Sequence, residues 1–420
     1  MISCDLEKQE ENKPKSSRRE FLKTSALGLL FMNYGWGTWS EEVQATLYPD
    51  KPSQAVPFIM ESAPGAETVI NGRKYLYFGG TGYFGLHGNP EMIQTGIEAF
   101  KKFGTHSGTT RSGFGNNPVL LDVEKKIAEF FGAEASVYFV SGYFNNLFLA
   151  QGLADQFDVA FLDETAHFSV KDGIFTTRKP VVFFKHCDAE DLTKKLKTEL
   201  KSGQRPLVMT DGVFPTFGKI APVPEYVKAV EPYDGIIALD DSHAVGVLGK
   251  QGRGTYDYFG LSSSDRLYFA GTLSKAFGGH GGFIPASAKL IQHIRDSVGA
   301  YSGASPTPTP IAAAAGKGIE IVVNHPEWRE KLWKNVAHAK SGIRKLGFEM
   351  NDTPVPIVTW VMKSADEMKK VQKELLNKGI AVAYLKYVGA PAGGVLRATI
   401  FSTHTPEQIN RLLEELKKLV

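Results

Sequence analysis

The sequence predicts an α/β fold: a mostly parallel central sheet covered on both faces by helices, followed by a smaller α+β unit. Three observations carry this reading. Between residues 135 and 285 the chain repeats short runs of β-branched and aromatic residues, a polar or glycine-containing turn, and a helical period. The polar and reactive side chains follow those runs rather than precede them. Finally, a proline-rich break, Ser305-Pro306-Thr307-Pro308-Thr309-Pro310, separates the alternation from an alanine-rich helix and the C-terminal part.

The composition is that of a folded chain with a large core. Of 420 residues, 42% are hydrophobic and 22% charged, which excludes a disordered or collagenous protein. Lysine plus arginine (48) nearly balances aspartate plus glutamate (45), and no basic cluster is interleaved with aromatics, so no nucleic-acid partner is expected. With only Cys4 and Cys187, neither a disulfide framework nor a cysteine metal site can be built, and no metal is expected.

Taken in order, residues 1–45 form a leader and linker. Ser17-Arg18-Arg19-Glu20-Phe21-Leu22-Lys23, followed by an apolar run from Thr24 to Trp39, looks like a twin-arginine export signal; an amphipathic helix on the enzyme body is the alternative. The run contains Asn33 and Gly35 and falls short of the roughly 20 apolar residues that span a bilayer, so no stable membrane span is expected. A used signal implies the periplasm, an unused one the cytoplasm. An N-terminal segment (46–90) leads into a large domain (91–305) and a small C-terminal domain (306–420). Residues 90–103 and 118–131 read as helices, each opened by a proline. Strands are expected at 136–140, 159–162, 181–184, 207–209, 236–239 and 267–270. The last helix carries Thr405 as N-cap, Pro406 at its first position and Gln408 completing a capping box.

In open α/β sheets ligands bind outside the carboxyl ends of the strands. Ser141-Gly142, Asp163 with His167, Asp211, Asp240 to His243, and Ser274-Lys275 should therefore converge. A lysine flanked by hydroxyls and glycines, as in Gly271-Thr272-Leu273-Ser274-Lys275-Ala276-Phe277-Gly278-Gly279, can form a Schiff base with an aldehyde, although a lone lysine after a strand is more often a solvated charge. The strand ending in Asp240-Asp241 delivers a carboxylate pair whose repulsion calls for a nearby cation or protonated ring. Pyridoxal phosphate meets that need, with an aspartate at its ring nitrogen and a lysine at its aldehyde carbon. Gly142 and Tyr143, at a strand-to-helix turn, could offer amides to its phosphate.

With those residues in view, the chain resembles the α-oxoamine synthase family of fold-type I pyridoxal-phosphate enzymes from about Val69 to the C-terminus. The landmarks are Tyr83-Phe84-Gly85-Leu86, Gly104-Thr105-His106-Ser107-Gly108 with Arg111, Ser141-Gly142-Tyr143, Asp163 with His167, Thr210-Asp211-Gly212-Val213-Phe214, Asp240-Asp241-Ser242-His243, Gly271-Thr272-Leu273-Ser274-Lys275, and Leu396-Arg397 with His404-Thr405. Each is weak alone; together, in this order, they are specific.

The resemblance implies a fold-type I transferase in which Lys275 holds the cofactor and later moves the substrate's α-proton. It implies that Asp240 pairs with the ring nitrogen, that His167 lies on the ring face, and that His243 bonds the phenolic oxygen or the reacting carbonyl. Thr272 with the Gly142 and Tyr143 amides would take the phosphate, helped by a hydroxyl expected from residues 302–307 of a partner subunit. Arg397 would clamp the amino-acid carboxylate. Thr81 stands where the family often has an asparagine at a substrate contact, and Pro215 where many members carry serine. A homodimer with the site at the subunit interface is implied.

The implied reaction condenses a small amino acid with an acyl-CoA to an α-amino ketone. Transamination or aldol-type cleavage, which needs no thioester, is the alternative on the same scaffold. Acyl-CoA is a cytoplasmic metabolite, so export and condensation pull in opposite directions.

Overall fold

Asn71 and Gly72 both adopt positive φ and turn the first hairpin, β1 (Glu67–Ile70) and β2 (Arg73–Tyr77), as a two-residue loop of this kind requires. The computed structural model describes residues 58–261 and 266–420. The twin-arginine-like segment and the rest of the leader lie outside the described residues. Helices α1 (Pro90–Phe103) and α2 (Pro118–Phe131) follow the hairpin with the bounds read from sequence. Each starts at an asparagine, Asn89 or Asn117, whose side-chain oxygen accepts two backbone N–H groups ahead of an N-terminal proline.

The central sheet contains β3 (Ala135–Phe139), β4 (Val159–Asp163), β5 (Val181–Phe184), β6 (Pro206–Asp211), β7 (Ile236–Asp240), β8 (Leu267–Thr272) and β9 (Gly282–Ala286). Their spatial order is β3-β9-β8-β7-β6-β4-β5. The pairs among β4 to β8 are parallel, and β9 runs antiparallel between β3 and β8. The mostly parallel α/β sheet is thus as expected. Strand β9 was not foreseen, because Pro285 argues against a strand with neighbours on both sides.

Alternate side chains of these strands feed two separate cores. Ala160, Leu162, Leu207, Met209 and Ala238 pack on one face, with α3 (Asn145–Gly152) and α4 (Phe168–Phe175) contributing Phe148, Leu149, Val170 and Ile174. Phe161, Val208, Ile237, Leu239 and Phe269 belong to the other core, with residues of α1, α2 and the helix Thr309–Asn324. Burial on both faces is why these strands read as continuous apolar runs.

Beyond the proline-rich break, β10 (Ile357–Trp360), β12 (Ala383–Leu385) and β13 (Val395–Thr399) form an antiparallel sheet in the order β10-β13-β12. Strand β11 (Ile380–Ala381) instead joins β2 of the N-terminal hairpin in parallel. The helix Pro406–Lys417 starts with the expected capping box of Thr405 and Gln408. Among the described residues, no helix is long and apolar enough to cross a membrane.

Candidate active site

The parallel strands end on one rim, and a cavity of about 340 Å³ opens there. Asp211, Asp240 and Thr272 reach it from the ends of β6, β7 and β8, and Arg397 from β13. Thr81, Gly142, Tyr143, His167, His243 and Lys275 complete the set singled out from the sequence, all of them in the cavity wall.

Two carboxylates expected at this rim are elsewhere. Asp241 follows Asp240 and therefore leaves the strand on the opposite side. Its carboxylate accepts the Thr255 backbone N–H (2.7 Å) and hydroxyl (2.5 Å). Burial lifts its pKa to about 7, against the pull of those two donors. Asp163 also stays outside the cavity wall. Burial would raise its pKa, but His186, the Cys187 N–H and the Thr165 N–H hold it below the ordinary value. With further donation from the Thr165 hydroxyl (2.8 Å), this cluster braces the turn that carries His167.

The carboxylate pair at the cavity is instead Asp211 and Asp240, register partners on adjacent strands. Asp240 accepts from Asn146 Nδ2 at 2.6 Å and from the Ser242 N–H at 3.1 Å. Asp211 accepts the His167 N–H at 2.7 Å, yet burial and the neighbouring Asp240 push its pKa well above the carboxylate range. Asp211 thus tends to carry a proton, while Asp240 is the one supplied with donors.

Lys275 lies half-buried in the same wall. Burial draws its pKa down to about 8, with Arg397 adding to the effect and Asp240 and Asp211 opposing it. At neutral pH roughly a tenth of such an amine is unprotonated, against less than about one part in a thousand for an ordinary lysine. The turn after it is tight: Gly278 has a φ of +65°, and a Cβ there would sit 2.3 Å from Leu86 Cβ.

A cradle for an anion lies alongside. The Thr272 and Ser274 hydroxyls are 2.5 Å apart, and a Cβ on Gly142 would come within 2.7 Å of Thr272 Oγ1. Only glycine leaves that space open. Ser141 caps the short turn Gly142–Phe144, its oxygen accepting the Tyr143 N–H at 3.3 Å. Hydroxyls, a glycine and a turn start form a donor set that fits a phosphate.

Also in the cavity wall, the Nη1 and Nη2 groups of Arg397 donate to the carbonyls of Pro215 (3.0 Å) and Gly80 (3.4 Å), while its buried Nε has no partner. The groups that favour its charge are the phenols of Tyr83, Tyr387 and Tyr77 rather than carboxylates, and burial lowers its pKa. A guanidinium so placed is ready for an incoming carboxylate. His243 bonds the buried Tyr83 hydroxyl, and burial holds its pKa well below the usual value. His167 is the N-cap of α4; Ser169 Oγ meets its Nδ1 and the Tyr387 hydroxyl its Nε2, each at 2.7 Å.

Sequence reasoning missed Asn146, Ser169, Tyr83 and Tyr387 as partners of these groups. The adjacent amides Asn145-Asn146, opening an otherwise apolar helix, were a usable signal; nothing in the sequence around Tyr387 was.

The family model described as aminotransferase class I and II matches residues 80–416. The 8-amino-7-oxononanoate synthase of Lysinibacillus sphaericus is 33% identical over 356 residues, covering 84% of this chain and 91% of that protein. The serine palmitoyltransferase of Sphingobacterium spiritivorum is 32% identical over 362 residues, covering 86% and 90%. Among solved structures, a serine palmitoyltransferase from S. paucimobilis with a bound pyridoxal-phosphate–myriocin aldimine is similar with a TM-score of 0.81 and 29% identity, over 86% of this chain and 92% of that one.

Proposed function

Because this chain belongs to the aminotransferase class I and II family, and within it to the α-oxoamine synthases, we propose that it condenses a small α-amino acid with an acyl-CoA, releasing free CoA and the amino acid's carboxylate as carbon dioxide, to give an α-amino ketone. The observation that carries the reading is one cavity holding an amine of lowered pKa, Lys275, and a guanidinium with no carboxylate among its partners, Arg397. The first suits an exchangeable imine, the second an amino-acid carboxylate.

The cofactor is pyridoxal phosphate, as in the related solved enzyme. The residues that would hold it are Lys275 and Asp240, with His167 at its ring and Gly142, Tyr143, Thr272 and Ser274 at its phosphate. When bound, it supplies an electrophilic carbon for the amine and a protonated ring that draws electron density from the α-carbon. Asn146 and Ser242 donate to the Asp240 carboxylate and so hold it in place for the ring nitrogen. Arg397 orients the amino acid by its carboxylate. Lys275 Nζ takes the α-proton, a task for which a pKa of about 8 is suited because both protonation states are accessible near neutral pH. The buried Tyr83–His243 pair keeps water from one wall and offers an imidazole to oxygens of the bound groups.

The enzyme works as a homodimer in this reading. Ile93, Ile97 and Phe100 of α1 are 51%, 43% and 53% exposed, and with Ile311 they line a single apolar groove. Such a patch on a monomer calls for cover. Sedimentation of the full chain as a monomer at micromolar concentration would count against it.

The deciding experiment gives the full chain, loaded with pyridoxal phosphate, a panel of acyl-CoAs with glycine, alanine or serine and follows free thiol. Release that requires both substrates is expected. Absorbance that responds to amino acids without any thiol release would overturn the condensation.

A further inference from the structure

We propose that Tyr387 serves the acyl donor: its hydroxyl accepts a hydrogen bond from His167 and turns its own proton into the cavity, where it meets the thioester carbonyl oxygen. The proposal rests on the condensation reading and assigns a residue to the second substrate.

The argument begins at Ser169. Its backbone N–H donates to His167 Nδ1 at 3.2 Å, so Nδ1 is an acceptor and carries no proton. The Ser169 hydroxyl, 2.7 Å from Nδ1 and 3.5 Å from Asp240 Oδ2, gives its single proton to the nearer atom. It accepts in turn from Asn146 Nδ2 at 3.0 Å. The ring proton of neutral His167 is therefore on Nε2, and that N–H donates to Tyr387 Oη at 2.7 Å. With Oη acting as acceptor, the phenolic proton points elsewhere, and Tyr387 lines the cavity.

Tyr387 is also held in place. The carbonyl of Val388 accepts the Thr216 hydroxyl at 2.5 Å, Tyr387's own carbonyl accepts the Ala390 N–H at 2.9 Å, and the phenol ring meets Phe168 edge to face at 5.7 Å. The turn depends on Gly389, whose φ is +77°. A donor fixed before the substrate arrives is the kind that stabilises charge developing on oxygen.

In the step it serves, the electron pair left on the α-carbon after Lys275 removes the proton forms the new C–C bond to the thioester carbonyl carbon. The carbonyl π pair moves onto oxygen and meets the Tyr387 O–H. Return of that pair breaks the C–S bond, the departing thiolate takes a proton from solvent, and the amino acid's carboxylate then leaves as carbon dioxide, the electron pair it leaves on the α-carbon taking up a proton.

The test uses the full chain and Tyr387→Phe. Nitrogen-15 NMR of histidine-labelled, unaltered chain, with His167→Gln for assignment, should show His167 protonated at Nε2 alone. A proton on Nδ1 would overturn the proposal, since Tyr387 would then spend its proton on the ring; this measurement stands whatever the folding of the variant. In the loaded variant, exchange of the amino acid's α-proton with deuterated solvent, measured without thioester, should fall by less than thiol release does, since Tyr387 also neighbours His167 and Arg397. Thiol release should fall at least about 10-fold. Unchanged release, or exchange and release falling together as a structural defect would make them, overturns the role of Tyr387 and leaves condensation standing. Failure of the parent itself to release thiol from any acyl-CoA overturns condensation first and Tyr387's role with it.

Discussion

The Tyr83 hydroxyl lies 2.6 Å from Nδ1 of His243, and both side chains are buried in the wall between the N-terminal segment and the end of β7. Burial raises the phenol's pKa and lowers the imidazole's, so both are neutral at physiological pH and the bond is a neutral one. Tyr83→Phe removes the partner and leaves a buried ring nitrogen unsatisfied. Unfolding by urea should show a loss of about 1–3 kcal/mol. The cofactor's absorbance band should shift as well, because His243 then reorients within the cavity.

Lys275→Ala removes the only amine in the cavity wall among the described residues. After borohydride reduction, the cofactor's absorbance should stay with the parent through denaturing filtration and be lost from the variant, and amino-acid-dependent turnover should fall by about 10³-fold or more. A variant with the parent's spectrum and rate would end the enzyme reading.

The pH dependence of cofactor uptake follows from the same side chain. Burial lowers the pKa of Lys275 to about 8, and only the unprotonated amine attacks an aldehyde. The unprotonated fraction rises as pH rises through that value. Uptake by the stripped chain, followed by stopped-flow absorbance, should therefore slow about tenfold per unit below pH 7 and level off above pH 9. A profile that climbs steadily to pH 10 would place the amine at its ordinary pKa and contradict the burial effect.

Arg397→Lys keeps a positive charge but loses the planar fork. If Arg397 takes the amino-acid carboxylate, kcat/KM for the amino acid should drop about 10- to 100-fold. The KM for the acyl-CoA should hold. Steady-state kinetics with each substrate varied in turn separates these.

How much of this was legible in the sequence depends on what each feature rests upon. Strand ends are visible because apolar runs stop there, so Asp240, His167 and Lys275 could be placed on one rim from topology alone. Which neighbour faces the rim depends on pleat and register. That is why Asp241 was grouped with Asp240, whereas the true companion, Asp211, sits 29 residues earlier on the adjacent strand. Strand β9 escaped because proline and glycine, the usual breakers, lie inside it at Pro285 and Gly282. Tyr387 escaped for another reason: its meeting with His167 spans 220 residues and is made by a glycine-containing loop with no periodicity to read. Arg397 had no local signal either, and only the resemblance pointed to it.

Gly142 offers the sharpest test of the anion cradle. Its φ lies outside the left-handed region, so alanine brings no backbone strain at this position. What it brings is a methyl group 2.7 Å from Thr272 Oγ1 and 2.8 Å from Thr272 Cβ, in the space between the short turn and the end of β8. Thr272 is itself held: its hydroxyl donates to the Gly281 carbonyl at 2.9 Å and accepts the Ser274 N–H at 3.2 Å. It can yield only by breaking those bonds. Gly142→Ala should therefore weaken pyridoxal-phosphate binding about 10-fold or more, an amount equal to roughly one strong hydrogen bond. Pyridoxal without its phosphate, which does not use the cradle, should bind parent and variant alike. Equilibrium titration of both ligands reads the difference, and an equal loss for the two would mean that the substitution disturbs the whole cavity rather than the phosphate site.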